Sequence, residues 1–179
     1  MGTRAQFKSG HQVFFGKPQF IATGNIAANA SVVNSTDETE LFASTISEDV
    51  IYRVNQQFRL TLAGTISSDG TDDVTLTLKA GSTDVLAFTT VSYPNEDDKA
   101  FMLDIVGRFI TVGSSGKVVA TGRLDMLATG MAAIVNGTAN AGVSVDTTAD
   151  ISLNVTAEFD GASADSDVIV NTAILQMFN

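Results

Sequence analysis

The stretch that decides the fold is QFRLTLAGTI, residues 57–66, in which apolar and polar side chains alternate. Phe58, Leu60 and Leu62 fall on one side of an extended chain, while Arg59 and Thr61 fall on the other. Because successive side chains of a strand point to opposite faces, this pattern predicts a strand with one face on a core and the other in water.

The same period of two recurs along the chain. Four more runs show it clearly: DVTLTLKA (73–80), FMLDIVGRF (101–109), GKVVATGRLDM (116–126) and DISLNVTAEF (150–159). Three less regular runs are also strand-like: ELFASTI (40–46), DVLAFTTV (84–91) and DVIVNTAILQMF (167–178). Turn-forming stretches lie between the runs, and no window has a sustained helical period, although LATGMAAIVNG (127–137) has room for one short helical turn.

A sheet of about eight long strands with one apolar face is stable in water only when that face is covered. The sequence therefore predicts an all-β fold, a two-sheet antiparallel sandwich, with an eight-stranded jelly roll favoured over a meander barrel. We place the sandwich at residues 37–179. Residues 1–36 are interpreted as an N-terminal arm and linker, in which a first strand fits at Ser31–Ser35.

Charge divides the chain at the same place. The 179 residues carry a net charge of −10, and residues 1–36 hold three bases and no acid, which is +3, so the remainder carries −13. So acidic a body has little attraction for phosphate backbones or anionic lipids, and we expect no binding to nucleic acid or to membranes. Cysteine is absent, which excludes a disulfide framework or a thiolate nucleophile and fits folding in a reducing cytoplasm.

The arm concentrates basic and aromatic residues. The stretch RAQFKSGHQVFFGKPQF, residues 4–20, contains four of the eleven phenylalanines and the only histidine. Exposed apolar side chains of this kind mark a contact surface. The predicted partner-binding residues are Arg4, Phe7, Lys8, His11, Phe14, Phe15, Lys17 and Phe20. Two interpretations stay open: the arm inserts into a partner whose acids pair with its bases, or it packs along the edge of its own sandwich or a sister subunit.

The sequence predicts no catalytic site. His11 lies in the arm without a nucleophile-elbow pattern beside it, and a surface or packing role is the simpler interpretation. Trp is absent and Tyr occurs only twice, which disfavours a glycosidase and an aromatic platform for sugars. We therefore expect a protein that is not an enzyme.

Acidic clusters lie in several predicted turns. They are Asp69, Asp72 and Asp73; Glu96, Asp97 and Asp98; and Asp160, Asp165 and Asp167. The first cluster is a weak match to a calcium loop, because it lacks the terminal bidentate Glu of an EF-hand. Aspartate also favours turns without any metal. We therefore expect no cofactor, with calcium at the first cluster as the alternative.

Five long stretches of the predicted sandwich carry a family resemblance. They are NSTDETELFASTI (34–46), FRLTLAGTISSDGTDDVTLTLKAGSTDVL (58–86), MLDIVGRFITV (102–112), ISLNVTAEFD (151–160) and VIVNTAILQMF (168–178). They resemble the small jelly-roll capsid decoration, or cement, proteins of tailed bacteriophages and related spikes. The resemblance implies a homo-oligomer, with a trimer favoured, that is made in the host cytoplasm and sits on the outer surface of the virion. The implied partner is the major capsid protein or another virion protein.

Two function hypotheses follow from the residues and the resemblance together. The first is a non-enzymatic decoration protein that binds and stabilises the outside of a phage head. The second is a receptor- or glycan-binding module of a phage fibre or spike, with contacts at loop tips such as Tyr93–Lys99.

Overall fold

The computed structural model describes residues 19–22, 25–26, 31–51, 53–90, 95–128 and 131–178. The larger sheet has the spatial order β1 (Gln19–Ala22), β12 (Asp167–Phe178), β5 (Gln57–Ser68), β8 (Glu96–Thr111), β9 (Gly116–Ala128) and β10 (Met131–Val145), and β3 (Ser31–Val33) also pairs with β12. The smaller sheet has the order β2 (Asn25–Ile26), β4 (Thr39–Ile46), β11 (Ile151–Phe159), β6 (Val74–Ala80) and β7 (Thr83–Thr89). One 3₁₀ turn spans Glu48–Val50, and none of the described segments is a helix long and apolar enough to cross a membrane.

The two sheets form a sandwich, and their strand pairings are antiparallel. This confirms the predicted all-β, two-sheet antiparallel fold. From β4 onward, hairpins join β6 to β7, β8 to β9 and β9 to β10, while each remaining connection crosses from one sheet to the other. After β4 the chain therefore passes repeatedly from one sheet to the other.

Burial confirms the predicted inward faces. In β5, Phe58, Leu60 and Leu62 are buried between the sheets, and the intervening Arg59 is exposed. The inward residues predicted for the other four clear runs are also buried: Val74, Leu76, Leu78, Ala80, Phe101, Leu103, Ile105, Phe109, Val118, Ala120, Leu124, Met126, Ile151, Leu153, Val155, Ala157 and Phe159. Burying a Leu, Ile, Val or Phe side chain contributes roughly 1.5–3 kcal/mol, so this alternation supplies the main drive for folding.

The structure differs from the sequence prediction in the segment after β9. Residues 127–137, where the sequence leaves room for one short helical turn, contain the end of β9 and the start of β10, which is a strand of 15 residues. β10 is rich in Ala, Gly and Asn and shows no clear alternation. It lies at the rim of the larger sheet and has a strand partner on one side only among the described residues. Among the described residues from 39 onward there are therefore nine strands, where about eight were expected.

Parts of the predicted arm and linker are joined to the sandwich by hydrogen-bonded pairing. β1 and β3 both pair with β12, and β2 pairs with β4. The strand expected at Ser31–Ser35 is β3, in which Val32 is buried in the core. Each of these strands is two to four residues long, and they extend the two sheets at their sides.

A close contact between Gly107 and Phe58 fixes the middle of the larger sheet. The two residues are directly opposite each other on β8 and β5. A Cβ atom at Gly107 would lie 2.2 Å from the Phe58 ring, so the aromatic ring occupies the space that any side chain there would need. Phe58 is fully buried, and its ring centroid is 6.0 Å from that of Phe109.

We expect Gly107→Ala to lower the free energy of unfolding by about 1–3 kcal/mol, because the new methyl group overpacks the core against Phe58. Chemical denaturation of Gly107→Ala, Phe58→Leu and the double variant measures the effect. The smaller leucine gives the methyl group space, so the double variant should lose about 0.5–3 kcal/mol less than the two single losses together. Additive losses would show that the Phe58 ring is not what excludes a side chain from position 107.

Candidate interaction surfaces

The outward face of the larger sheet carries an ordered set of ion pairs. We call this surface, formed by the outward side chains of β12, β5, β8 and β9, the ladder face. Arg59 Nε and Nη2 bind the two carboxylate oxygens of Asp104 at 2.7 and 2.9 Å, and Thr61 Oγ1 donates to Asp104 Oδ1 at 3.0 Å. Arg123 and Asp125 form a second pair, Nη2 to Oδ2, at 2.9 Å.

Strand register brings these residues together. Asp104 is directly opposite Thr61 on one side and Arg123 on the other, so three neighbouring strands meet at its carboxylate. The hydrogen bond from Arg59 is the main cause that holds the pKa of Asp104 below its ordinary value, while partial burial acts in the opposite sense. Asp104 is therefore charged at neutral pH and anchors a planar, bidentate pair on an open sheet face.

Large apolar side chains surround the ion pairs. Met102 and Val106 on β8 are 40% and 42% exposed, Leu127 on β9 is 68% exposed, and Ile174 on β12 is 37% exposed. Their neighbours along each strand point into the core. Burying these four side chains would therefore require a register shift of one residue, which would expose the core residues. Four of the seven large apolar residues that the described chain exposes thus lie on one face.

The outward face of the smaller sheet is polar. Lys79 Nζ lies 2.6 Å from Glu38 Oε2 and 3.2 Å from Asp84 Oδ1, and Thr156 Oγ1 donates to Glu38 at 2.6 Å. These bonds tie Glu38, which precedes β4, to the two central strands β6 and β11. The hydrogen bond from Lys79 lowers the pKa of Glu38, with a further contribution from Thr156. The Glu38–Lys79 ion pair therefore connects the residue before β4 to the outward face of β6.

The carboxylates of the predicted calcium loop bind different groups of the protein. Asp69 Oδ1 accepts hydrogen bonds from the backbone and hydroxyl of Thr71 at 2.8 and 2.7 Å, which lowers its pKa. Asp72 Oδ2 accepts from the buried Ser166 hydroxyl at 3.0 Å. Asp73 Oδ1 lies 3.5 Å from Thr90 Oγ1. Among the described residues no three of the potential metal ligands are grouped so that they could hold an ion.

The other two acidic clusters also form no group of three potential metal ligands among the described residues. Asp160 accepts a hydrogen bond from the Asp73 backbone at 2.7 Å, and Asp98 donates its own backbone N–H to the Ser67 hydroxyl at 3.1 Å. Asp167 is opposite Ser67 across β12 and β5, and its Oδ1 is buried without a hydrogen-bond partner among the described residues. Asp98 and Asp167 therefore lie together at one end of the larger sheet.

The predicted arm residues fall mostly outside the described part of the chain. Phe20 lies in β1, where it is opposite Gln176 of β12. The other seven are outside the described residues: Arg4, Phe7, Lys8, His11, Phe14, Phe15 and Lys17. Of the loop tip expected at Tyr93–Lys99, the structure describes residues 95–99, in which the Asn95 side chain donates to the Asp69 carbonyl at 3.1 Å.

Sequence reasoning missed the ladder face. It placed Arg59 and Thr61 on the outside of β5, but it did not connect them with Asp104 and Arg123, which are 45 and 64 positions further along (104 − 59 = 45; 123 − 59 = 64). The sequence does contain one indication of this face, namely charged residues at outward positions of three predicted strands. Only the strand order and register show that these positions are neighbours.

No protein-family model matches the chain, and no curated protein sequence matches it closely enough to indicate a family. Among solved structures, it is similar to a lectin, UEA-II, complexed with galactose, at 11% identity and a TM-score of 0.36 over 83% of this chain and 84% of that one. Lectin II from Ulex europaeus matches at 11% identity and a TM-score of 0.35, covering 82% and 85% of the two chains. A legume lectin-like domain from Entamoeba histolytica matches at 5% identity and a TM-score of 0.30, covering 81% and 82%. At this distance the likenesses assign no function to this chain.

We expect Glu38→Gln to flatten the acid side of the stability profile. A carboxyl whose folded-state pKa is lowered stabilises the fold above its ordinary pKa of 4.5, and that contribution is lost as the pH falls through the lowered value. At neutral pH the variant should be less stable by no more than about 1 kcal/mol, the range for exposed ion pairs. Denaturation midpoints from neutral pH into acid measure both effects.

The control for this prediction is Glu40→Gln, which makes the same change of charge two residues away at another exposed position. It should leave the acid limb of the profile parallel to that of the parent chain. Equal flattening in both variants would mean that net charge, and not the bond to Lys79, sets the pH dependence.

Proposed function

We propose that this chain is a non-enzymatic structural protein of a virion, which binds the outside of the shell through its basic, aromatic N-terminal segment. The resemblance of the sandwich sequence to phage decoration proteins supports the virion as the place of action. The division of charge supports the mode of binding, because residues 1–36 carry +3 and the remainder carries −13. Such a chain docks in one orientation, with the basic segment toward acidic groups of the shell and the acidic body toward solvent.

The observation that carries the proposal is the position of β1. Gln19 and Phe20 pair with Met177 and Gln176 of β12, and among the described strands β1 is the outermost on that side of the larger sheet. The basic segment is therefore continuous in sequence with a strand at one side of the larger sheet. The proposal assigns its phenylalanines and bases to contacts with a partner.

Binding of this kind stabilises a shell without chemistry. A protein that binds the assembled lattice and not its free subunits shifts the equilibrium toward the intact shell by mass action. Several segments presented together by an oligomer would raise the effective affinity steeply. The phenylalanines at positions 14 and 15 supply apolar contact area, and Lys8 and Lys17 supply charge that salt screens.

Deleting residues 1–18 should abolish binding of the purified chain to virus shells that have been stripped of it. In the full-length chain, Lys8→Gln with Lys17→Gln should weaken binding at low salt by at least about 10-fold, and Phe14→Ala with Phe15→Ala should weaken it at all salt concentrations. Co-sedimentation with the shells measures each effect.

The matched control is Arg53→Gln with Lys99→Gln, which removes two positive charges from the sandwich and not from the segment. It should bind as the parent chain does. Shell binding that survives deletion of residues 1–18 would contradict the proposal, as would electron microscopy of whole particles that finds the chain only at a tail tip.

A second candidate function is glycan binding, which the outward face of the smaller sheet favours. That face presents fixed hydroxyl and amide groups, including the Thr75–Thr89 pair at 2.9 Å and the Ser152–Asn154 pair at 2.5 Å. Fixed polar groups of this kind suit the hydroxyls of a sugar. Two of the solved structures named above are lectins, one of them complexed with galactose, but their likeness is too distant to support this candidate.

A glycan array separates the two functions. Under the second candidate, the chain binds array glycans, Asn154→Ala with Thr89→Val removes the signal, and deletion of residues 1–18 leaves it intact. Under the first, the array shows no binding above background. Deletion of residues 1–18 therefore abolishes shell binding under the first function and leaves glycan binding intact under the second.

A further inference from the structure

The central area of the ladder face is weakly basic on a strongly acidic protein. It spans Ile169 to Phe178 on β12 and the positions that register aligns with them on β5, β8 and β9. Its outward charged residues are three bases and two acids, which is +1: Arg59, Arg108 and Arg123; Asp104 and Asp125. Residues 37–179 as a whole carry −13, so the other surfaces of the sandwich carry −14. An acidic partner therefore meets less repulsion at this area than over the rest of the sandwich.

Large apolar side chains occupy the same area. Met102 and Val106 flank Asp104 on the outward side of β8, while Ile174 lies on β12 and Leu127 on β9. They are four of the seven large apolar residues that the described chain exposes. Exposed apolar side chains gathered on one face mark a contact surface, because a partner that covers them removes them from water.

The outward face of the smaller sheet has the opposite character. Among the described residues it carries one base and four acids, which is −3: Lys79; Glu38, Glu40, Asp84 and Glu158. None of the large apolar residues exposed in the described chain lies on this sheet. The smaller sheet therefore suits contact with water, and the central area of the ladder face suits contact with a partner.

The N-terminal segment joins the larger sheet beside the central area. Gln19, the first residue of β1, is opposite Met177, and Phe178 follows at the same end of β12. Register aligns Phe178 with Arg108 across β5. Residues 1–18 are therefore continuous in sequence with a strand that begins at the end of the sheet where Arg108 lies.

We propose that the sandwich rests on the virion shell with the central area of its ladder face, so that this area and the N-terminal segment bind the same partner. The inference rests on the proposed function and adds the orientation of the sandwich on the shell. The partner surface that fits is flat and acidic, with apolar groups that cover Met102 and Val106. The smaller sheet, with its acids and hydroxyls, then faces solvent.

The ion pairs at the centre of the area are compatible with burial against a partner. Arg59 and Asp104 bind each other in a bidentate arrangement, and Arg123 is paired with Asp125. Covering them leaves no unpaired charge at the centre, which would be the most costly arrangement. Arg108 lies outside these pairs, at the end nearest the N-terminal segment, where it adds to the positive charge of that segment.

The size of the area explains why the area and the segment act together. At about 4.8 Å between strands and about 6.7 Å between successive outward residues, four strands and five rows cover about 640 Å². An interface of standard size takes about 800 Å² from each partner, so the area alone forms a weak contact. Once the segment is bound, it holds the area near the shell at an effective concentration of about 1 mM, and the weak contact then forms.

Oxidation of Met102 is the first test. Tryptic cleavage at Lys99 and Arg108 releases residues 100–108, in which Met102 is the only methionine, so mass spectrometry reads its sulfoxide alone. Dilute peroxide should oxidise Met102 in the free full-length chain, and the rate should fall by at least about 5-fold on shells. The control is Ala87→Met, which places a methionine at an exposed position of the smaller sheet and should react equally fast free and on shells.

Added charge on the face is the second test. Ile174→Glu and Leu127→Glu, on either side of Met102, should each weaken co-sedimentation of the full-length chain with shells by at least about 10-fold, because each places an unpaired acid against an acidic partner. Thr45→Glu is the matched control, since it adds the same charge at an exposed position of the smaller sheet. It should bind as the parent chain does, and melting curves check that every variant folds.

Equal oxidation of Met102 in the free and the shell-bound chain would overturn the inference, and this result needs no substitution in the face. So would slow oxidation of the free chain at micromolar concentration, because a second copy or residues 1–18 would then already cover the area. Unchanged shell binding of both folded glutamate variants would overturn it as well. The proposed function fails separately, if deletion of residues 1–18 leaves shell binding intact, and the protection of Met102 on shells can still be measured in that case.

Discussion

The whole structure depends on the alternation of side chains along its strands. Each inward residue contributes to a shared apolar layer, and each outward residue is left to water. Because the period is two residues, a slip of one position would move an entire strand's apolar set to the wrong side. Register is therefore fixed by burial, and the outward residues are positioned as accurately as the core although they contribute little to it. The Arg59–Asp104 ion pair depends on this fixed register, because its two residues are 45 positions apart in the sequence.

The separation of the two faces of a sheet explains how one fold can carry different surfaces. The larger sheet presents balanced charges and large apolar side chains, while the smaller sheet presents hydroxyls and the Glu38–Lys79 pair. Both share the same core between them. An outward residue can change without disturbing that core, so the chemistry of each surface is set independently of the fold.

The sequence predicts the core of this protein well, because burial leaves a direct trace in the alternation of runs such as 57–66 and 151–159. It predicts β10 poorly, since a strand at the rim of a sheet needs fewer large apolar residues. It could not predict the ladder face, because contacts such as Asp104 with Arg123 depend on which strands are neighbours, and periodicity carries no information on strand order. In the acidic turns, the cluster itself is visible in the sequence, as with Asp69 and Asp72. Their hydrogen-bond partners are not, because these depend on the geometry of the loop.

The pairing of β1 with β12 has a mechanical consequence. Gln19 is opposite Met177, so the first residue of β1 and the end of β12 lie side by side at the same end of the sheet. Tension between these two ends would break the hydrogen bonds of the pair one after another, as a zipper opens, and would not load them together in shear. Peeling β1 away in this manner leaves β12 paired with β5 over its length. A pull on the N-terminal segment would then lengthen the tether by a few residues while the sandwich stays intact.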